Sequence, residues 1–144
     1  MQNQPPVQVS SQPPAQVGKS STGLDANVAA LLSYIFTWVS GLIFFVMEKE
    51  SRLVRFHAVQ ALILGVIALV LSFASWPIWI VIAIISAFLP DILSMLVMGI
   101  TGLIMFVVFL AIFVGWIVGM VKAYQGEYFK LPVIGNFAEK YSTK

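Results

Sequence analysis

The chain has 144 residues, 60% of them apolar and 10% charged, with a formal net charge of +2 and no cysteine. Average soluble domains carry roughly 25% charged residues, so this chain has too few charges to coat a soluble core, and lipid must solvate most of it. The missing cysteine excludes disulfides, thiolate metal sites and cysteine nucleophiles, and so small a charge gives no argument for a nucleic-acid partner, so none is expected.

Residues 1–26 form a tail rich in Gln, Pro and Ser with two Pro-Pro pairs and no helical period. It reads as a disordered or polyproline-like linker, and without a basic stretch leading into an apolar one it is not a cleavable signal peptide. Residues 28–47 are uncharged and long enough, at about 1.5 Å per residue, to cross about 30 Å of hydrocarbon. Asp25 or Asn27 is placed to cap them. The connector "EKESRLVRFH", residues 48–57, is too polar for hydrocarbon and marks a surface.

From Ala58 to Val121 the one charge is Asp91. Residues 58–75 make a second span. "SWPIW" then breaks the pattern with Pro77 between Trp76 and Trp79, indoles that favour interfaces. Residues 77–90 are apolar but short, which suits a re-entrant or interfacial segment, or a fourth span. Asp91 is expected near an interface as an N-cap. Residues 99–121 form the last span, and residues 124–144 an amphipathic interfacial segment rich in Tyr and Phe, turned by Gly126, Pro132 and Gly135. The expected fold is all-α: a helical bundle, residues 27–123, in the cytoplasmic membrane. With three spans, seven of the eight Lys and Arg share one side. The positive-inside rule then places the N-terminus outside and the C-terminus in the cytoplasm. Four spans with both termini inside is the competing topology.

Small residues permit the close helix contacts that lipid does not otherwise drive. Ala29, Ser33, Thr37 and Gly41 line span one, Ala61 and Gly65 span two, and Ala111, Gly115 and Gly119 the last span. These stripes pack one bundle; the sharper alternative is that Gly115 and Gly119 face another protomer. His57, the chain's one histidine, and Gln60 share a helix face with Ala61 and Gly65. With an even number of crossings between them, Arg55, His57 and Gln60 meet Lys122, Tyr124, Gln125 and Glu127 in a polar rim at one membrane face. The expected role of His57 is a hydrogen bond across helices, against the alternative of proton or ion handling. Gln60 needs a partner, which Tyr124 or a backbone carbonyl supplies.

Catalysis finds little footing. The acids are scattered, HExxH, GxSxG and GxxxxGK[ST] are absent, and one histidine without cysteine makes no histidine-rich metal site. No cofactor or metal is expected. Two stretches, "NVAALLSYIFTWVSGLIFFVMEKESRLVRFHAVQALI" and "KAYQGEYFKLPVIGNFAEKY", resemble a family of small prokaryotic multi-pass membrane proteins grouped with the Tic-type channel subunit of chloroplast import. The matching positions are Phe56, His57, Ala58, Gln60, Lys122, Ala123, Tyr124, Gly126, Lys130, Leu131, Pro132 and Gly135. The resemblance implies an all-helical membrane domain with a part in protein translocation or membrane assembly. The expected function is therefore a non-enzymatic membrane protein that assembles with itself or another membrane protein. The alternative is a small channel or transporter whose path passes His57 and Gln60.

Overall fold

Two helices, each far longer than the roughly 30 Å hydrocarbon core of a bilayer, run side by side and carry the rest of the chain at one end. The computed structural model describes residues 18–142. In chain order the helices are α1 (Ala26–Leu32), α2 (Trp38–Met47), α3 (Arg52–Ser86), α4 (Asp91–Tyr124) and α5 (Ile134–Ser142). Among the described residues there is no strand, apart from one isolated bridge between Lys19 and Asp25.

Residues 28–47 are not one span. The helix stops at Leu32 and resumes at Trp38, with Thr37 at φ +46°. Side chains hold the break. The Ser40 hydroxyl donates to the Ser33 carbonyl (2.7 Å) and accepts from the Phe36 N–H (3.1 Å), while the Trp116 indole donates to the Tyr34 carbonyl (2.7 Å). Broken backbone is tolerated in an apolar environment only when protein groups satisfy it in this way. The chain reverses at this break, with α1 packed on α3 and α4 and α2 on α3. Ser20 and Ser21, before α1, hydrogen-bond the carboxylate of Glu48, just after α2. The chain thus returns near its starting level.

Residues 58–75 and 77–90, expected as separate segments, belong to one helix. α3 has 35 residues, about 52 Å at 1.5 Å each, and passes through Pro77. Ser51 caps its start by accepting from the Val54 N–H. Proline costs one backbone hydrogen bond, which an otherwise continuous apolar helix absorbs. The last helix starts at Asp91 rather than near residue 99. Pro90 is its N-cap and Asp91 lies in its first turn, where a carboxylate suits the helix dipole. Residues 18–25, expected within the disordered tail, form a turn in which the Ala26 N–H donates to the Gly18 carbonyl. The remaining tail, residues 1–17, and residues 143–144 lie outside the described residues.

The core sits at one end. Burial along α3 runs from Leu53 to Gly65 and then reappears only at Ser86, while in α4 it falls on Gly119 and Ala123. Ala26, Ala29, Ala30 and Tyr34 pack with Leu53, Val54, Ala61 and Ala123; Phe56 and Val59 pack on Ala138 of α5; Leu64 packs on Leu131 and Ile134. Glycine makes the closest approaches. A Cβ on Gly41 would lie 2.7 Å from the Leu62 backbone nitrogen, and one on Gly65 would lie 2.5 Å from that of Trp38. This head carries an apolar two-helix arm whose side chains are mostly exposed.

Candidate functional site

The centre of the head is a buried polar cluster on three elements. His57 and Gln60 lie one turn apart on α3, both at 0% exposure. Tyr34, also at 0%, reaches them from the break between α1 and α2. The connector from α4 to α5, residues 125–133, closes the third side. Donor and acceptor roles follow from the partners. Nε2 of His57 lies 2.9 Å from the Glu127 carbonyl, which only accepts, so Nε2 carries the proton of the neutral ring. Nδ1 then accepts from the Tyr34 hydroxyl at 3.2 Å. Gln60 donates to that hydroxyl oxygen (3.0 Å) and to the Phe129 carbonyl (3.2 Å), and accepts from the Leu131 N–H (3.1 Å). Buried polar groups are costly unless paired, and here each polar atom of His57 and Gln60 is paired inside the chain.

Apolar packing fixes these side chains. The Tyr34 ring covers Gly119 so closely that a Cβ there would lie 2.8 Å from it. Phe56 meets His57 edge-on at 5.1 Å between ring centres and Tyr128 at 5.5 Å. Arg52 lies over Tyr128 at 5.7 Å and Arg55 over Phe45 at 5.4 Å, both cation–π distances. The Arg55 Nε is buried without a hydrogen-bond partner. Lys122 pairs with Glu127 and Lys130 with Glu139, each at 2.8 Å.

A second cluster lies at the outer edge of the head. Glu48, 1% exposed, accepts from the Ser20 and Ser21 hydroxyls and from the backbone N–H groups of Ser21, Glu50 and Ser51. Burial works against its charge, but these donors outweigh burial and hold the carboxyl at about 2, below the ordinary 4.5.

The expected rim residues are only partly brought together. His57 and Gln60 meet the segment that follows α4, and Lys122 reaches it through Glu127. Tyr124 and Gln125 do not join them: both are exposed, and the Tyr124 side chain makes no hydrogen bond among the described residues. Only the Tyr124 carbonyl is used, by Asn27 (3.1 Å). The partner of Gln60 is Tyr34, which the sequence reading did not single out. Its signal was its hydroxyl, the one phenol within residues 28–47, which needs a partner at depth. Of the small residues, Ala29, Ser33, Gly41, Ala61, Gly65 and Gly119 are buried within the chain. Thr37 meets Gly65, and Gly115 has Leu131 at ordinary contact distance, 3.7 Å from an added Cβ. No group of three or more His, Cys, Asp or Glu able to hold a metal occurs among the described residues.

An all-helical head built around a buried polar cluster, on two helices long and apolar enough to cross a membrane, fits a small integral membrane protein. Residues 22–138 match the magnetosome magnetite crystal formation protein family, and the chain belongs to that family. It is 45% identical over 126 residues to a UPF0132 membrane protein of Methanocaldococcus jannaschii, covering 88% of this chain and 96% of the relative. A second UPF0132 membrane protein of that organism is 37% identical over 123 residues (83% and 71%). One from Archaeoglobus fulgidus is 40% identical over 114 residues (79% and 92%). No solved structure matches. None of these descriptions mentions a Tic-type import channel.

Proposed function

We propose that the protein is a non-enzymatic membrane assembly component, anchored by two crossings, whose polar cluster latches the C-terminal segment onto the head. The supporting observation is the closed hydrogen bonding of His57 and Gln60. Their polar atoms point at Tyr34, Glu127, Phe129 and Leu131 rather than into a cavity. A conducting path needs polar groups free to exchange partners with an ion or solute, and a catalytic group needs access to substrate.

In this topology the α1–α2 hairpin enters and leaves on one face, α3 crosses, and α4 returns. The charges support it. Lys19, Lys49, Arg52, Arg55, Lys122, Lys130 and Lys140 then all lie at the head, and the turn between α3 and α4 has no Lys or Arg. The positive-inside rule puts such a face in the cytoplasm, with both ends of the described chain there.

The test uses purified protein in liposomes. Ion and small-solute flux should stay at the level of empty vesicles, and His57→Ala should lower thermal stability without changing flux. Flux above background that His57→Ala abolishes while the melting temperature holds would replace the latch with a conduction path.

A further inference from the structure

Arg55 is the last charge that α3 carries before a run, Phe56 to Ser86, that contains none. Its level is therefore the edge between headgroups and hydrocarbon on that helix. Around α3 it stands where α2 and α5 meet. Phe45 of α2 lies under its guanidinium at 5.4 Å, and the same Phe45 packs with Val59, one turn further along α3, and with Ala138 of α5. Val59, Leu62 and Val66 follow Arg55 at spacings of four, seven and eleven, so they continue its side of the helix towards the bilayer centre. Along that line the side chains pass from buried through half-buried to exposed.

The charge of Arg55 has no counter-charge in the chain. Among the described residues neither Arg55 nor Arg52, one turn before it, makes an ion pair, and the Nε of Arg55 is buried without an acceptor. Three acids of the head are engaged elsewhere. Glu48 takes the hydroxyls of Ser20 and Ser21, while Glu127 holds Lys122 and Glu139 holds Lys130, each at 2.8 Å. Arg52 acts on Glu139 only weakly, after Lys130. A part-buried cation without a counter-charge is costly. Ring stacking fixes both guanidiniums instead, Arg55 on Phe45 and Arg52 on Tyr128 at 5.7 Å. Stacking uses the face of a guanidinium and leaves the N–H groups in its plane for an oxyanion.

We propose that the cleft between α2 and α5 at Arg55 binds the phosphate of an anionic phospholipid, with Arg52 as a flanking second cation. The terminal N–H groups of Arg55 take the phosphate oxygens, and an acyl chain runs down the side of Val59, Leu62 and Val66. A lipid fits better than a soluble phosphate because the cation stands at the hydrocarbon edge with an apolar wall below it. Cytoplasmic leaflets are rich in anionic lipid, and basic pockets between helices on that side suit their headgroups. The site depends on α3 entering lipid at Phe56, not on the latch.

The test uses the full-length protein in phosphatidylcholine vesicles, with spin-labelled phosphatidylglycerol or spin-labelled phosphatidylcholine as the probe. The fraction of each probe immobilised by the protein gives its preference. Phosphatidylglycerol should be preferred, and Arg55→Gln should lower that preference about fivefold, the worth of one basic side chain at an anionic surface. Lys49→Gln removes an exposed charge from the same face and should lower it far less. Equal losses in the two variants would leave only diffuse attraction to a basic face and overturn the site, as would equal immobilisation of the two probes by the native chain. Inorganic phosphate should not displace the lipid; displacement would assign the site to a soluble phosphate and overturn the lipid. If the melting temperature shows that Arg55→Gln does not fold, Arg52→Gln carries the test, because its side chain is exposed. An unchanged preference in that variant would then overturn the proposal.

Discussion

Gln60→Leu is the sharpest probe of the latch. The substitution keeps an apolar side chain of similar bulk in a buried site and removes both donors and the acceptor. The Phe129 carbonyl is at the surface and can turn to water, and Tyr34 keeps its bond to His57. The Leu131 N–H cannot recover so easily, because Leu131 is 6% exposed and Gln60 Oε1 is its acceptor. An orphaned buried donor costs about 1–3 kcal/mol, and the lost net bond to Tyr34 adds about 1 kcal/mol. The expected loss is therefore about 2–4 kcal/mol, concentrated where the connector and α5 meet α3. Amide hydrogen exchange in detergent or nanodiscs reads this directly. Protection at Leu131 should fall roughly thirty- to thousandfold, since each 1.4 kcal/mol is about tenfold, while amides at the centre of α4 change little. Tyr124→Phe is the matched control and should leave the pattern unchanged. Unaltered protection at Leu131 would refute the latch. An equal loss at every amide would instead make the C-terminal segment part of one global unit.

Glu48 makes the N-terminal clasp pH-dependent. Its carboxyl is lowered to about 2 from 4.5, so its stabilisation is complete above about pH 5 and is lost as pH falls from 4.5 towards 2. Residues 18–25 should lose exchange protection over that window, and Glu48→Gln should abolish the pH dependence while weakening the clasp at neutral pH. Gly65→Ala places a methyl group 2.5 Å from the Trp38 backbone nitrogen. Backbone cannot step aside as a flexible side chain can, so α2 must shift from α3 at a cost of about 1–3 kcal/mol, visible as a lower melting temperature. Val133, at φ +68° and largely exposed, is a β-branched residue in the left-handed region. Val133→Gly relieves that conformation without emptying a packed site, and should raise stability by up to about 1 kcal/mol; a lower melting temperature would contradict this account.

The sequence alone determined the solvent and the polarity of the molecule. Too few charges for a soluble coat and a largely apolar stretch from Ala58 to Val121 whose one charge is Asp91 follow from composition, and the pairing of "RFHAVQ" with "KAYQGEYFKLP" from an even number of crossings between them. They place His57 and Gln60 on the small-residue face of a helix, and the structure brings that face to Glu127 and Phe129. What sequence could not decide was where helices stop. Pro77 looks like a break yet lies inside α3, because an apolar helix has no better use for its remaining backbone groups than to continue. Ser33 to Thr37 look helical yet break, because Ser40 and the indole of Trp116, 82 residues beyond Tyr34, satisfy the freed backbone there. That long-range bond and the Ser20–Glu48 closure turn an apparent span into a hairpin, and both depend on contacts that no local pattern encodes.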